Sequence, residues 1–133
     1  MADTTIFEMV SPEKLLISKE VGMVVVPGSE GNFGVLPRHT PMIATLRPGV
    51  IDIHEDGKVT DRIFVASGFA EVTETRCTVL AEEATALSDV TVADVEKSIA
   101  DLQDDLKDTT DEFERGRIEA RIDVQSVLLA ALR

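Results

Sequence analysis

The spacing of apolar residues changes once along this chain, close to residue 87. Before that point, short runs rich in β-branched residues alternate with glycine and proline. The pattern predicts strands at 21–27, 50–53, 59–67 and 77–81. Between the second and the third, Glu55-Asp56-Gly57-Lys58 offers a tight hairpin turn, with glycine where a positive φ is easiest. Strands at this spacing, separated by Gly and Pro turns, indicate an antiparallel sandwich or barrel over residues 1–86.

From residue 87 the apolar spacing becomes helical. Four residues at intervals of four, three and four share one face of a first helix: Val95, Ile99, Leu102 and Leu106. Thr91, three residues before Asp94, is a candidate N-cap for this helix. The polar stretch 108–111 ends the stripe, and either Thr110 or Asp111 caps a second helix. Residues 87–133 are therefore predicted to form an antiparallel helical hairpin, which makes the chain an α+β protein.

The chain is strongly acidic, with 25 Asp and Glu residues against 13 Lys and Arg and a net charge of -12. Nucleic-acid phosphates and anionic lipids repel such a chain, so we expect no nucleic-acid partner and no direct membrane insertion. Cys77 is the only cysteine, and the sequence contains neither a secretory signal nor an apolar stretch of transmembrane length. These features predict a soluble protein of a reducing compartment.

Residue types that support catalysis or metal binding are scarce. His39, His54 and Cys77 are too few for a closed zinc site, so we expect no enzyme activity, catalytic residue, metal or cofactor. The stretch 28–34 has glycines three residues apart. It lacks the Lys-Ser/Thr of a P-loop and carries Glu30 where a phosphate would sit. We interpret it as a glycine-rich turn that another surface can approach closely.

Two features leave two interpretations open. His39 lies between Pro37 and Pro41, which fits either an ordinary turn residue or a contact residue held at low conformational entropy. The second helix carries three arginines that either bind an acidic partner or form local ion pairs: Arg115, Arg117 and Arg121. Their many Asp and Glu neighbours favour local ion pairs.

Three stretches of the first part resemble the ε subunits of F-type ATP synthases. They are Val-Pro-Gly-Ser-Glu-Gly-Asn-Phe-Gly-Val-Leu-Pro-Arg-His-Thr-Pro (26–41), Leu-Arg-Pro-Gly-Val-Ile (46–51) and Phe-Val-Ala-Ser-Gly-Phe-Ala-Glu-Val (64–72). Over residues 4–86 the resemblance rests on specific motifs. From residue 87 onward only the general pattern of residues agrees with the family. It implies a sandwich of two antiparallel sheets over residues 1–86 and a helical hairpin over residues 87–133. The apolar spacing predicts the same two parts.

The resemblance also implies a function and partners. It implies a non-catalytic rotor subunit of the central stalk, which couples the γ subunit to the ring of c subunits during proton-driven ATP synthesis. The complex would lie at the cytoplasmic face of the bacterial inner membrane, with this subunit peripheral. The contact with the c ring would be formed by Ser29, Glu30, Gly31 and Asn32. The contact with γ would be formed by Ser11, His39, Thr40, Pro41 and Met42.

The hairpin departs from the family pattern in two respects. Some bacterial ε subunits bind ATP through an Ile/Leu-Asp-x-x-Arg-Ala motif, and here Thr91 and Asp94 occupy its Asp and Arg positions. A phosphate would therefore meet a carboxylate instead of a guanidinium. Inhibitory members present basic residues to an acidic segment of the catalytic β subunit, whereas residues 87–133 carry 12 acidic and 6 basic residues. We expect a contact with β to be weakly regulatory at most. The competing hypothesis is a nucleotide-sensing module that acts through the hairpin.

Overall fold

The structure, a computed structural model, describes residues 3–133. The chain divides into two compact units, one ending at Ala86 and the other beginning at Leu87. The strands of the first unit are β1 (Thr5–Val10), β2 (Leu15–Val21), β3 (Met23–Gly28), β4 (Gly31–Val35), β5 (Met42–Leu46), β6 (Gly49–Glu55), β7 (Lys58–Val65), β8 (Gly68–Val72), β9 (Arg76–Ala81) and β10 (Ala84–Ala86). The second unit contains a 3₁₀ turn (Leu87–Asp89) and two helices, α1 (Val92–Lys107) and α2 (Glu112–Leu132).

The strands form one hydrogen-bonded path in the order β10-β7-β6-β3-β5-β8-β9-β1-β2, with β4 paired to β3. The register between β3 and β5 consists of a single pair, Gly28 with Leu46, and this pair links the two halves of the path. Side chains from both halves pack into one core, which includes Phe7, Met9, Val24, Val26, Ile51, Ile53, Val65, Val72 and Val79. The two halves are thus the layers of a sandwich.

One strand pair departs from the antiparallel sheets that the resemblance implied. β1 runs antiparallel to β2 but parallel to β9. A parallel pair is possible here because β1 and β9 belong to different hairpins, joined by a long stretch of polypeptide instead of a tight turn. The other neighbours along the path are antiparallel.

The local sequence pattern predicted one hairpin correctly, but it did not predict that one strand is divided in two. Asp56 and Gly57 join β6 to β7 with φ values of 52° and 78°, as the predicted hairpin requires. The strand predicted over 21–27 is instead divided by a bend at Gly22, where β2 ends and β3 begins. Pro27 lies inside β3, where its carbonyl accepts the Arg47 N–H at 3.0 Å.

Both helices begin where the capping residues predict. Thr91 Oγ1 accepts the Asp94 N–H at 3.1 Å, and the Asp111 carboxylate accepts the Glu114 N–H at 3.0 Å. Each bond satisfies one of the backbone donors left without a partner at a helix start. The two helices pack against each other as a hairpin. The predicted class, an α+β protein with a β-sandwich followed by a helical hairpin, is confirmed.

An ionic cluster ties β2 to β6 and β7. Lys19 Nζ lies 2.6 Å from Asp61 Oδ2 and also contacts the Glu55 carboxylate. The hydrogen bonds to Asp61 and then to Glu55 raise the pKa of Lys19, and the bond from Lys19 lowers the pKa of Glu55. Because the folded-state pKa of Glu55 is depressed, its contribution to stability is present above the unfolded pKa and is lost as falling pH protonates it.

The hydroxyl of Thr5, at the start of β1, is buried without a hydrogen-bond partner among residues 3–133. The residue is 1% exposed. An unpaired buried hydroxyl costs about 1–3 kcal/mol, so we expect the nearly isosteric Thr5→Val to raise the free energy of unfolding by about 1 kcal/mol. Chemical denaturation measures the change. Thr78→Val is the matched control, because that hydroxyl donates to Glu8 at 3.4 Å. A stability loss in Thr5→Val, or an equal gain in the control, would contradict this explanation.

Candidate functional site

A two-residue turn, Ser29-Glu30, joins β3 to β4 and is shorter than the turn predicted over residues 28–34. The strands pair as far as Gly28 and Gly31, so Gly31 and Asn32 belong to β4. Gly31 has a φ of 136°, which L side chains rarely adopt, and glycine is therefore required there. A Cβ at Gly28 would lie 2.8 Å from the Gly31 carbonyl oxygen. The base of the turn is thus closed to side chains, while Ser29 and Glu30 are exposed at its tip.

The turn borders a cleft of about 470 Å³ that it shares with the segment ahead of β5. The predicted contact residues that line this cleft are Ser29, Glu30, Gly31, Asn32, His39 and Met42. The rest of the lining consists of Gly28 and Phe33 from the strands beside the turn and Ile43, Ala44 and Thr45 of β5. Two residue sets that the resemblance assigned to different partners therefore lie beside each other.

A tight turn fixes the position of His39. The His39 N–H donates to the Leu36 carbonyl at 3.2 Å, and the intervening Arg38 has a φ of 64°, as a type II turn with Pro37 at its second position requires. The ring Nδ1–H donates to the Thr40 carbonyl at 2.7 Å, which leaves Nε2 of the neutral ring as an acceptor. His39 is a turn residue whose ring is also held in one orientation at the surface.

Ser11 lies away from the cleft, in the turn between β1 and β2. Its N–H donates to the Lys14 carbonyl at 2.9 Å, and its Oγ accepts the Lys14 N–H at 3.2 Å. The strand order places β1 three strand spacings from β5, a distance of about 14 Å. Ser11 and Met42, at the ends of these two strands, are therefore not neighbours, although one sheet connects them.

The outer face of that sheet carries exposed and half-buried apolar side chains that the apolar spacing of the sequence did not indicate. They come from β1, β5, β8 and β9, and we name them the outer patch: Val10, Ile43, Phe69 and Leu80. Ile43 is 73% exposed, Phe69 53% and Leu80 44%. The register pairs Phe69 with Leu80, and Leu80 with Val10, so the patch is continuous across strands. Exposed apolar clusters of this kind mark protein interaction sites.

Acidic groups accompany the outer patch. Glu71 is exposed, pairs in register with Ile43 and lines the same shallow depression. Glu8 lies two strands further along the sheet, on β1, where Arg76 Nη1 approaches its carboxylate at 3.0 Å. A polypeptide that covers this patch would meet an apolar centre with carboxylates beside it. Basic residues next to an apolar stripe would be complementary to that surface.

Thiol and metal-ligating side chains are the groups whose surroundings bear on possible chemistry. Cys77 is fully buried, and burial raises the pKa of its thiol to about 12, so it is not a thiolate at neutral pH. Residues 3–133 contain no group of three or more His, Cys, Asp or Glu side chains arranged to hold a metal ion. Neither described helix combines the length and apolar character needed to cross a bilayer.

Two of the three arginines of α2 make local contacts. Arg115 Nη1 donates to the carbonyls of Leu106 and Thr109, at 2.7 and 2.8 Å. Arg117 Nη1 lies 3.2 Å from Glu114 Oε1 on the same helix. Local ion pairing was therefore the better expectation for Arg117. Arg115 instead binds one backbone carbonyl in the last turn of α1 and one in the turn after it, which helical spacing alone does not indicate.

Comparison with known proteins identifies the family. Residues 4–87 match the family described as ATP synthase, Delta/Epsilon chain, beta-sandwich domain, and residues 92–132 match the C-terminal domain of the ATP synthase epsilon chain. A protein named ATP synthase epsilon chain from Rhodospirillum rubrum is 52% identical over 131 residues, covering 98% of both sequences. The chain belongs to the ATP synthase epsilon chain family. The resemblance stated from the sequence motifs is thereby confirmed.

A further relative agrees with this ε-family assignment, and two solved structures share the fold. The ATP synthase epsilon chain of Rhodospirillum centenum is 67% identical over 89 residues, covering 65% of this chain and 61% of the relative. A subunit in the Euglena gracilis mitochondrial ATP synthase (OSCP, F1 and c ring) has a TM-score of 0.84 at 23% identity, covering 98% of this chain and 82% of that one. A subunit in the Tetrahymena thermophila mitochondrial ATP synthase (central stalk and c ring) has a TM-score of 0.62 at 11% identity, covering 98% of both. At these identities the structural matches show the fold alone.

Proposed function

We propose that this ε-family protein is a non-catalytic rotor subunit that couples γ to the c ring during proton-driven ATP synthesis. The observation that carries the proposal is the match to a protein named ATP synthase epsilon chain along 98% of both sequences. The outer patch and the Ser29-Glu30 turn supply two exposed surfaces for two partners. The subunit would lie at the cytoplasmic face of the bacterial inner membrane, attached through its partners.

We assign the γ subunit to the outer patch and to the predicted contact residues at its two ends. Ser11 directly follows Val10, and Met42 directly precedes Ile43. The distance from β1 to β5, about 14 Å, accommodates one α-helix, which is about 10–12 Å wide with its side chains. Burying apolar surface stabilises a complex by roughly 25 cal/mol per Å². An amphipathic γ helix with basic residues beside its apolar stripe fits this face and Glu71.

The c ring is assigned to the turn formed by Ser29, Glu30, Gly31 and Asn32. The tip is exposed, and the glycines leave no bulky side chain at its base. Small residues let the backbone of another protein approach closely. The turn borders the same cleft as His39 and Met42, two of the predicted γ-contact residues. Both partners would therefore meet the sandwich at neighbouring positions.

Inserting Ala-Trp-Ala between Ser29 and Glu30 tests the ring assignment in the assembled ATP synthase. We expect proton-driven synthesis to fall about tenfold or more, because a bulky turn cannot make the close contact. ATP hydrolysis by the detached soluble head should stay within about twofold of its normal rate, since the head does not need the ring. The control is the same insertion between Asp56 and Gly57, another two-residue hairpin turn. Unimpaired synthesis with the first insertion would disprove the ring contact.

The hairpin is proposed to be weakly inhibitory at most and insensitive to ATP. Thr91, at one position of the nucleotide motif, already accepts the Asp94 N–H as the cap of α1. Asp94 adds a carboxylate where the motif has its arginine. Arg115 and Arg117 are engaged within the hairpin, so its exposed charge is mainly acidic. An acidic segment of the β subunit would be repelled by that surface.

A further inference from the structure

The guanidinium of Arg47, in the connection between β5 and β6, contacts both strands that lead into the Ser29-Glu30 turn. Arg47 Nη1 donates to the Gly28 carbonyl at 2.6 Å, at the end of β3. Arg47 Nη2 donates to Asn32 Oδ1 at 2.7 Å, on β4. The fork of one side chain therefore spans the base of the turn, and the residue is partly buried.

Backbone hydrogen bonds join the same two regions. The Arg47 N–H donates to the Pro27 carbonyl at 3.0 Å, and the Ser29 N–H donates to the Thr45 carbonyl at 2.9 Å. Together with the Gly28–Leu46 pair, these bonds attach the last residues of β3 to the last residues of β5. β4 itself pairs with β3, and its core-packed side chains, Phe33 and Val35, lie beyond the turn.

The β3–β4 hairpin ends at a sheet edge, because β3 also pairs with β5 and β6 whereas β4 pairs with β3 alone among residues 3–133. Gly28 and Gly31 at its end add conformational freedom. Side-chain contacts are therefore needed to hold the exposed turn at one angle to the sandwich. Arg47 supplies such contacts to both strands at once, because its planar guanidinium carries several donors in a fixed fork. A lysine ammonium at the end of a flexible side chain would not provide the same paired geometry.

We propose that Arg47 is a positioning residue, which holds the Ser29-Glu30 turn rigid for docking on the ring. The inference rests on the proposed contact between this turn and the c ring. A contact that must persist while the rotor turns benefits from a preorganised surface, because little further ordering is needed on binding. Arg47 acts through the turn and does not itself touch the ring.

The first part of the test uses the isolated full-length protein and needs no ring. In Arg47→Gln we expect the Ser29 amide hydrogen to exchange about tenfold faster, because two hydrogen bonds from a charged group are lost. Arg47→Lys should give an intermediate rate. The control is Arg62→Gln, because Arg62 Nε bonds Asp52 on β6 at 2.9 Å, and it should leave Ser29 unchanged. An unchanged Ser29 rate in Arg47→Gln would overturn the proposal.

The second part uses the assembled ATP synthase with the same variants. Proton-driven synthesis should fall about threefold to tenfold in Arg47→Gln, partly recover in Arg47→Lys and remain normal in Arg62→Gln, with hydrolysis by the soluble head unchanged. If synthesis is normal in Arg47→Gln but impaired by the Ala-Trp-Ala insertion, the ring contact stands and the positioning role is wrong. If the insertion also leaves synthesis normal, the ring contact is wrong, and the proposed role of Arg47 fails with it.

Discussion

Replacing Phe69 with aspartate should weaken the binding of this protein to isolated γ by about 100-fold or more. Phe69 lies at the centre of the outer patch, beside Leu80, and is half-exposed in the free subunit. In the complex, the variant would lose the burial of an aromatic side chain, about 1.5–3 kcal/mol, and would bury a carboxylate near Glu71. Aromatic residues at the centre of an interface often dominate binding in this way. Titration calorimetry with the full-length protein and γ measures the effect.

The matched control for this experiment is Val59→Asp. Val59 is an apolar strand residue on β7 with 47% exposure, outside the outer patch. Both substitutions place a charge at an exposed strand position, so both variants should keep the circular dichroism spectrum of the unaltered protein. We expect the control to bind γ within about twofold of normal. Tight binding by Phe69→Asp, or equal loss in both variants, would argue against the outer patch as the γ surface.

The parts of the fold predicted correctly from the sequence are those specified by local signals. The β6–β7 hairpin follows from Asp56-Gly57, and the helix starts follow from Thr91 and Asp111. β4 was missed because Gly31-Asn-Phe-Gly-Val35 has low β-propensity, and its extended form depends on pairing with β3. The parallel pairing of β1 with β9 could not be predicted either. The two strands are far apart in the sequence, and no short turn joins them to fix their relative direction.

The candidate site could be only partly predicted, for a similar reason. The residues at 29–32 and 39–42 were assigned through family resemblance, and their common cleft depends on how β3, β4 and β5 pair. The outer patch combines residues from distant parts of the sequence, and strand register alone brings Val10 beside Leu80. A usable signal was present at Phe69: since Ala70 and Val72 are inward-facing positions of β8, alternation directs Phe69 outward. The Arg47 contacts gave no such signal, because they depend on the exact geometry of the turn.

Arg115→Met should loosen the helical hairpin. The last carbonyls of a helix lack partners within that helix, and Arg115 donates to the Leu106 carbonyl in the last turn of α1 and to the Thr109 carbonyl in the turn that follows. Its positive charge also lies at the helix end where the macrodipole is negative. Methionine keeps an apolar stem and removes the charge and the donors. We expect the hairpin to lose about 1.5 kcal/mol of stability, with protease cleavage in the 108–111 turn about tenfold faster.

Arg117→Met is the matched control for the hairpin, since Arg117 lies on the same helix and has the same charge. Its exposed pair with Glu114, at 3.2 Å, is of the type that contributes roughly 0.3–0.5 kcal/mol, so cleavage should change by less than about threefold. Cleavage in the turn depends on the open population when opening and closing are fast, so the two rates compare the two side chains directly. Equal cleavage rates would mean that the carbonyl contacts of Arg115 do not hold the helices together. A tenfold difference would mean that the carbonyl contacts of Arg115 hold the hairpin closed.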